Sequence, residues 1–205
     1  GQWRALLHER FAQQAVPMLV MPSGFRSAAS LWSGARLWTA HFRADPTRRT
    51  VVCTWPHAEL GIQLLIAVLW DGLDLVLCAT DAEFRQLEAE YGATAWKILS
   101  DAAEADDAGG LVAHPSGWPM PSIEPAAGHA TDAATPASTF IAGGIRQPSG
   151  VWATRLRAQA AAPREATARL ELPPPGVVDG DALMRAYLLP LFVADEVWSA
   201  DIASP

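Results

Sequence analysis

Few side chains here combine type and spacing in a way that supports chemistry. Cys53 and Cys78 fall on segments that read as neighbouring strands. They are a redox pair or two inert buried thiols, and inert thiols are the expectation. His57 stands just past a strand end, where α/β proteins often hold ligands, or is an exposed residue of a first helical turn. Asp71 and Asp74 flank a turn; two carboxylates can share acid and base work, but a capping or solvated role is expected. Ser149 lies in Pro148-Ser149-Gly150, without the Gly-x-Ser-x-Gly frame of a nucleophile elbow. Gly143-Gly144 is a plain turn or part of an anion-binding loop. Neither a Gly-x-Gly-x-x-Gly fingerprint nor a Walker loop occurs. Every basic residue except Lys97 is an arginine, so a mechanism needing a lysine has one candidate. No catalytic residue and no metal-ligand set is assigned.

At 205 residues the chain makes one large domain or two small ones. Half of it is hydrophobic and 18% is charged, which excludes a disordered or collagen-like chain. A net charge of -7 argues against nucleic acid as a partner. The longest apolar run, Leu60 to Trp70, is interrupted by Gln63 and falls short of the ~20 residues of a membrane helix. No apolar signal core follows Gly1-Gln2-Trp3-Arg4. Two cysteines are too few for a disulfide framework or a zinc site. A reduced, cytoplasmic protein is expected.

The elements that would position these residues follow from periodicity. Leu6, Leu7, Phe11 and Ala15 predict a helix over Gln2 to Ala15, ended by Pro17. Met18 to Met21 reads as a short strand and Pro22-Ser23-Gly24 as a turn. A helix over Ser27 to Arg43 shows Leu31, Ala35, Trp38 and Phe42 on one face. Thr50 to Trp55 and Leu73 to Cys78 read as buried strands on either side of a nearly all-apolar helix, His57 to Asp71. Asp81 is expected to cap a helix ending at Gly92, and Thr94 to Leu99 to form a third strand. Strand, helix, strand, helix, strand is a βαβαβ unit, so the sheet should be mainly parallel. Residues 1–101 form this unit. Residues 102–136, which contain His114 and His129, read as an Ala/Pro/Gly-rich loop or linker. Residues 137–205 form a second part packed on the first. In it we expect a strand at Ala137 to Ile141, a loop from Gly143 to Gly150, and a helix over Val151 to Ala162. A strand at Arg169 to Leu172, a helix within Asp179 to Ala194 and a strand at Glu196 to Ile202 complete it. Pro173-Pro174-Pro175-Gly176 is a rigid connector. Trp32, Trp38 and Trp70 sit at core-like positions.

This order of elements resembles the N-terminal region of the adenylate-forming superfamily: acyl-CoA synthetases, aryl-CoA ligases and the adenylation domains of nonribosomal peptide synthetases. The helices around Leu6 to Ala15 and Ser30 to Trp38, the strand Thr50 to Pro56 and the segment Glu59 to Gly72 carry the likeness. That family has a Gly/Ser/Thr-rich phosphate loop ending in Pro-Lys-Gly. The matching stretch is Phe140 to Val151, with Phe140, Gly143, Pro148, Gly150 and Val151 in register. The functional positions differ. Ile141, Ala142, Gly144 and Ile145 stand where small hydroxyl residues belong, Arg146 where a glycine does, and Ser149 where the lysine does. A loop that grips phosphates needs backbone N–H groups, hydroxyl donors and a positive side chain.

The resemblance therefore implies an α/β fold of layered βαβ units with a degenerate phosphate loop. Residual ATP, AMP or phosphate binding would fall to Gly143, Gly144, Arg146, Ser149 and Gly150, and no cofactor is expected. In the family, a lysine on a later C-terminal domain assists adenylation. Lys97 is on the wrong element for that role and should be a solvated surface residue. The implied function is a truncated, non-catalytic homologue acting as a binding or assembly module in acyl- or aryl-acid or natural-product metabolism. The alternative is the N-terminal piece of a working ATP-dependent acid ligase; a third reading is a plain nucleotide-binding α/β domain. An apolar patch formed by Leu188, Leu189, Leu191, Phe192 and Trp198 would face a partner. That partner would be a second copy, a carrier protein or a biosynthetic enzyme, with no nucleic acid and no membrane span.

Overall fold

Two sheets organise the protein, and both join early chain to late chain. The computed structural model describes residues 2–12, 14–22, 24–54, 58–98, 136–171 and 178–199. Helix α1 (Gln2–Phe11) buries Trp3, Leu6, Leu7, Arg10 and Phe11, one face at helical spacing. It ends earlier than periodicity predicted, because the chain must leave the helix to enter strand β1 (Met18–Met21). The expected turn at Pro22 to Gly24 is followed by an unforeseen strand, β2 (Gly24–Ser27), antiparallel to β1. Its sequence, GFRS, carries no apolar alternation that could announce it. On the far side β1 pairs in parallel with β9 (Ala194–Trp198), and β9 with β8 (Glu165–Arg169). Both late strands start before their expected positions.

The second sheet has the order β5-β3-β4-β6-β7. Strands β3 (Thr50–Thr54), β4 (Asp74–Cys78), β5 (Ala95–Ile98) and β6 (Thr139–Ala142) are mutually parallel, as the βαβαβ reading requires. Strand β7 (Ile145–Pro148) runs antiparallel to β6 at the edge. Side chains alternate cleanly between two cores. Val51, Cys53, Leu75, Leu77, Trp96, Ile98 and Phe140 enter the main one. Val52, Val76, Cys78, Ala95 and Ile141 face Phe84 of α4 (Asp81–Tyr91) on the other side. Helix α4 is capped by Thr80, one residue before the expected Asp81; the Thr80 hydroxyl accepts from Glu83 N at 3.1 Å.

Helix α3 (Ala58–Asp71) runs through the main core, and Ile62, Leu64, Leu65, Ile66 and Val68 are all buried. Gly72, at φ 64°, ends it in a left-handed cap closed by Leu73 N donating to Val68 O. Helix α2 (Ala28–Arg43), capped by Ser27, packs along α3. Asp71 at the end of α3 is not solvated. It is buried and ion-paired to Arg43 at 2.8 Å and Arg4 at 3.6 Å, and burial still pushes its carboxyl above the usual range. Asp74 accepts from Thr139 N at 3.3 Å, tying β4 to β6.

Helix α5 (Gly150–Ala161) and a final helix α6 over residues 180–193 complete the layers. Helix α6 is α-helical at Gly180–Leu183, π-helical at Met184–Leu188 and α-helical again at Leu189–Val193. The buried Arg10 guanidinium donates to Leu191 O at 2.8 Å and Ala194 O at 3.2 Å, satisfying carbonyls at the end of α6. Burial and the neighbouring Arg164 lower its pKa to about 10 against a raising effect of Asp195, so it stays charged at neutral pH.

Two expectations are corrected here. Lys97 is 6% exposed, because it turns to the α4-covered face of a strand that is buried throughout. The proposed C-terminal patch does not exist as a surface. Leu188, Leu191 and Phe192 are fully buried, and Leu189 and Trp198 are partly so, because α6 lies in the main core. The linker 102–136 falls outside the described residues but for its last, as do the connector at 173–176, His57, His114 and His129. Among the described residues, no helix is long and apolar enough to cross a membrane.

Two predictions follow from this packing. A Cβ at Gly180 would overlap the buried Phe140 ring. Gly180→Ala should cost about 2 kcal/mol of stability, the typical scale for overpacking, read as a lower urea midpoint at unchanged slope. His41 packs on Trp96 with ring centroids 4.4 Å apart. Burial, then Arg48, lower its pKa to about 4. Between there and the ordinary value near 6.5, the unfolded chain binds the extra proton, so this stabilisation is full above about pH 6.5 and is lost as pH falls toward 4. His41→Phe should remove on the order of 2 kcal/mol of that pH dependence in urea titrations at pH 7 and pH 4.5.

Candidate functional site

The stretch that resembles a phosphate loop is a β-hairpin followed by a helix. Strands β6 and β7 are joined by Gly143 and Gly144 alone, with Ala142 opposite Ile145. Both glycines have positive φ, 56° and 77°, as a two-residue hairpin turn of matching twist requires. The expected irregular loop from Gly143 to Gly150 is thus mostly strand: Ile145 to Pro148 pair with β6, and α5 starts at Gly150.

The hairpin separates the five residues assigned to anion binding. Gly143 and Gly144 lie exposed at its tip. Ser149 and Gly150 lie at its other end, about 15 Å away at ~3.3 Å per strand residue. Ser149 is fully buried, and its hydroxyl accepts from Trp3 Nε1 at 3.1 Å. Its backbone N–H donates to Ser138 O at 3.0 Å, and its carbonyl accepts from Trp152 N. The residue in the lysine position therefore ties α1, β6 and α5 together. Gly150 is half-buried as the first residue of α5. Arg146 is exposed.

A cavity of about 390 Å³ opens beyond the carboxyl ends of β4 and β6. Leu77, Ala142, Ile145 and Val178 give it apolar walls; Glu83, Gln147 and Asp179 give it polar ones. Ile145 and Gln147 both line it, so the period of two along β7 turns Arg146 to the opposite face. Among the described residues, no arginine or lysine lines this cavity. The amino ends of α4 and α6 meet there. Glu83 accepts from Ala79 N at 2.9 Å, Asp179 caps α6 by accepting from Ala182 N at 2.8 Å, and Gln147 Oε1 accepts from Gly180 N at 3.0 Å.

Sequence reasoning missed Glu83, Gln147 and Asp179 as neighbours of the hairpin. Thr80-x-x-Glu83 is legible as a capping pattern and Asp179 as the start of a helix. Nothing local says that two caps so far apart in the chain face one cavity.

The other candidates are structural. Cys53 and Cys78 are buried and free, and they enter opposite cores of the sheet, which excludes a pair. Burial drives both thiols up, Cys78 to about 12, so neither is a nucleophile at neutral pH. Trp38 and Trp70 are buried and Trp32 is half-buried. Among the described residues, no cluster of His, Cys, Asp and Glu could hold a metal ion.

No protein-family model and no curated protein matches the chain. Solved structures do. The chain is similar to holo-PA1221, a nonribosomal peptide synthetase protein containing adenylation and PCP domains, at a TM-score of 0.62 and 12% identity over 99% of this chain and 37% of that one. It is similar to the N-terminal subdomain of NpsA from Klebsiella oxytoca at a TM-score of 0.56 and 13% identity, over 99% of this chain and 54% of that one. It is also similar to the amide bond synthetase McbA from Marinactinospora thermotolerans at a TM-score of 0.55 and 13% identity, over 99% and 44%. The chain spans about half the length of these proteins or less. Its described residues share the fold of these structures, the N-terminal subdomain of NpsA among them.

Proposed function

We propose that this protein is a non-catalytic binding or assembly module built on the N-terminal half of an adenylate-forming fold, acting in acyl- or aryl-acid or natural-product metabolism. One observation carries the reading: among the described residues, the cavity beside the hairpin presents two carboxylates and no cation. A phosphate charge ~6 Å from a carboxylate is repelled by about 3 kcal/mol at an effective dielectric of ~20. A helix amino end returns only about 0.3–1 kcal/mol, rarely ~2. Repulsion wins, and Arg146 faces away. Ser149, buried under Trp3, offers no replacement for a lysine.

A protein partner belongs to this reading: a second copy, a carrier protein or a biosynthetic enzyme. The solved neighbours' chains extend well past the matched region, and holo-PA1221 itself carries a PCP domain. Phe25 and Val151 are left 66% and 63% exposed.

A second reading has its own support. Because the neighbours are about twice as long or more, the chain also fits as the first half of an ATP-dependent acyl- or aryl-acid ligase whose divergent loop still binds phosphate, with Arg146 in place of the lysine.

Thermal shift with ATP and with AMP separates the two. A ligand at a hundred times its dissociation constant stabilises by about 2.7 kcal/mol. The module reading predicts no shift with either nucleotide; a saturable rise with ATP supports the ligase reading. Sedimentation velocity of the chain, alone and with a carrier protein, should show a dimer or a complex, and a monomer in both runs counts against the partner.

A further inference from the structure

The edges of the two sheets are not alike. Strand β5 is buried along its whole length. Strand β7 ends in Pro148, which has no N–H to donate. Strand β2 carries one charge, Arg26, held by Glu59 at 2.9 Å. Strand β8 differs from all three. Glu165, Ala166 and Thr167 are exposed, and Ala168 and Arg169 are half-buried. Among the described residues, it pairs with β9 alone. Leu170 N donates to Trp198 O at 2.9 Å, so the main-chain groups of Ala166, Ala168 and Leu170 turn to β9. Those of Glu165, Thr167 and Arg169 turn the other way, and their side chains share one sheet face. Glu196, beside Thr167 on that face, accepts from Trp198 Nε1 at 2.6 Å. An open edge is a template for another strand, and proteins commonly blunt it with lysine or proline. Neither occurs in Glu165-Ala166-Thr167-Ala168-Arg169.

We propose that β8 pairs antiparallel with β8 of a second copy, about a two-fold axis at Thr167, so that the two four-stranded sheets become one. The strand is complementary to its own reversal. With Thr167 opposite the partner's Thr167, Glu165 stands opposite the partner's Arg169, and Arg169 opposite the partner's Glu165. At each of these positions the main-chain groups face outward, so every pair exchanges both of its N–H···O bonds. A guanidinium has donors for more than one acceptor, so Arg169 can take this carboxylate beside its contact within the chain. An in-register parallel pair would instead set Glu165 against the partner's Glu165. The charges that discourage a foreign strand therefore select this one. The inference deepens the assembly reading and rests on it, because in that reading no later strand of the same chain takes this edge.

Sedimentation equilibrium of the full chain from about 10 µM to about 1 mM tests this, since so short a contact associates weakly. The parent should dimerise within that range. Thr167→Pro removes an outward N–H that β9 does not use, so the variant should melt near the parent and stay monomeric. Glu165→Arg and Arg169→Glu each set like charges opposite one another and should each weaken the dimer about tenfold. Mixed in equal amounts, the two variants regain opposite charges at both pairs, and the mixture should dimerise as the parent does. A parent monomeric throughout, a dimer that survives Thr167→Pro, or a mixture no tighter than its components overturns the proposal. A monomer that ignores ATP sinks the β8 pair and leaves the module reading with its other partners. A saturable ATP shift sinks the module reading whatever the sedimentation shows.

Discussion

Two adjacent left-handed glycines decide what the hairpin can do. With Gly143 and Gly144 making the whole turn, β7 must pair with β6 residue for residue, and the side-chain period is set from Ile145 onward. Ile145 and Gln147 take the cavity face and Arg146 the other. A one-residue slip of β7 against β6 would reverse that assignment and bring a guanidinium toward the carboxyl ends of β4 and β6. The chemistry of the cavity is thus a consequence of register more than of composition.

The same hairpin is anchored from below. Ser138 and Ser149 face each other across its open end, and both are fully buried. Ser138 donates to Val68 O in α3, and Ser149 accepts from Trp3 in α1. A position that resembles a phosphate-gripping lysine has become a knot between the first helix, the central helix and the helix after the hairpin. Burying a hydroxyl is tolerable only when it is hydrogen-bonded, and here both are. The arrangement gives stability to the junction and removes the side chain from solvent.

The fold was largely legible because parallel strands buried on both faces and helices with one apolar face leave clear periodicities. Val51-Val52-Cys53, Leu75-Val76-Leu77 and the stripe Leu31, Ala35, Trp38, Phe42 are examples. What escaped were elements set by tertiary contact. Strand β2 has no apolar pattern and exists because β1 offers it an edge. Lys97 has a surface residue's side chain but lies on a strand covered on both sides. Leu188, Leu191 and Phe192 look like a docking surface only while the core that α6 enters is unknown. At the site, the sequence marks Gly143-Gly144 as a turn but not Ile145 to Pro148 as a strand, and the cavity's charge comes from caps on α4 and α6 that local sequence assigns to helix ends.

The proposed function rests on this hairpin not binding phosphate. Backbone amide shifts of Gly143, Gly144 and Ile145, followed by NMR while inorganic tripolyphosphate is added to the isolated chain at moderate salt, test it most directly. The account predicts resonances that stay in place up to concentrations where only nonspecific drift is seen. Saturable shifts at those three amides would contradict it.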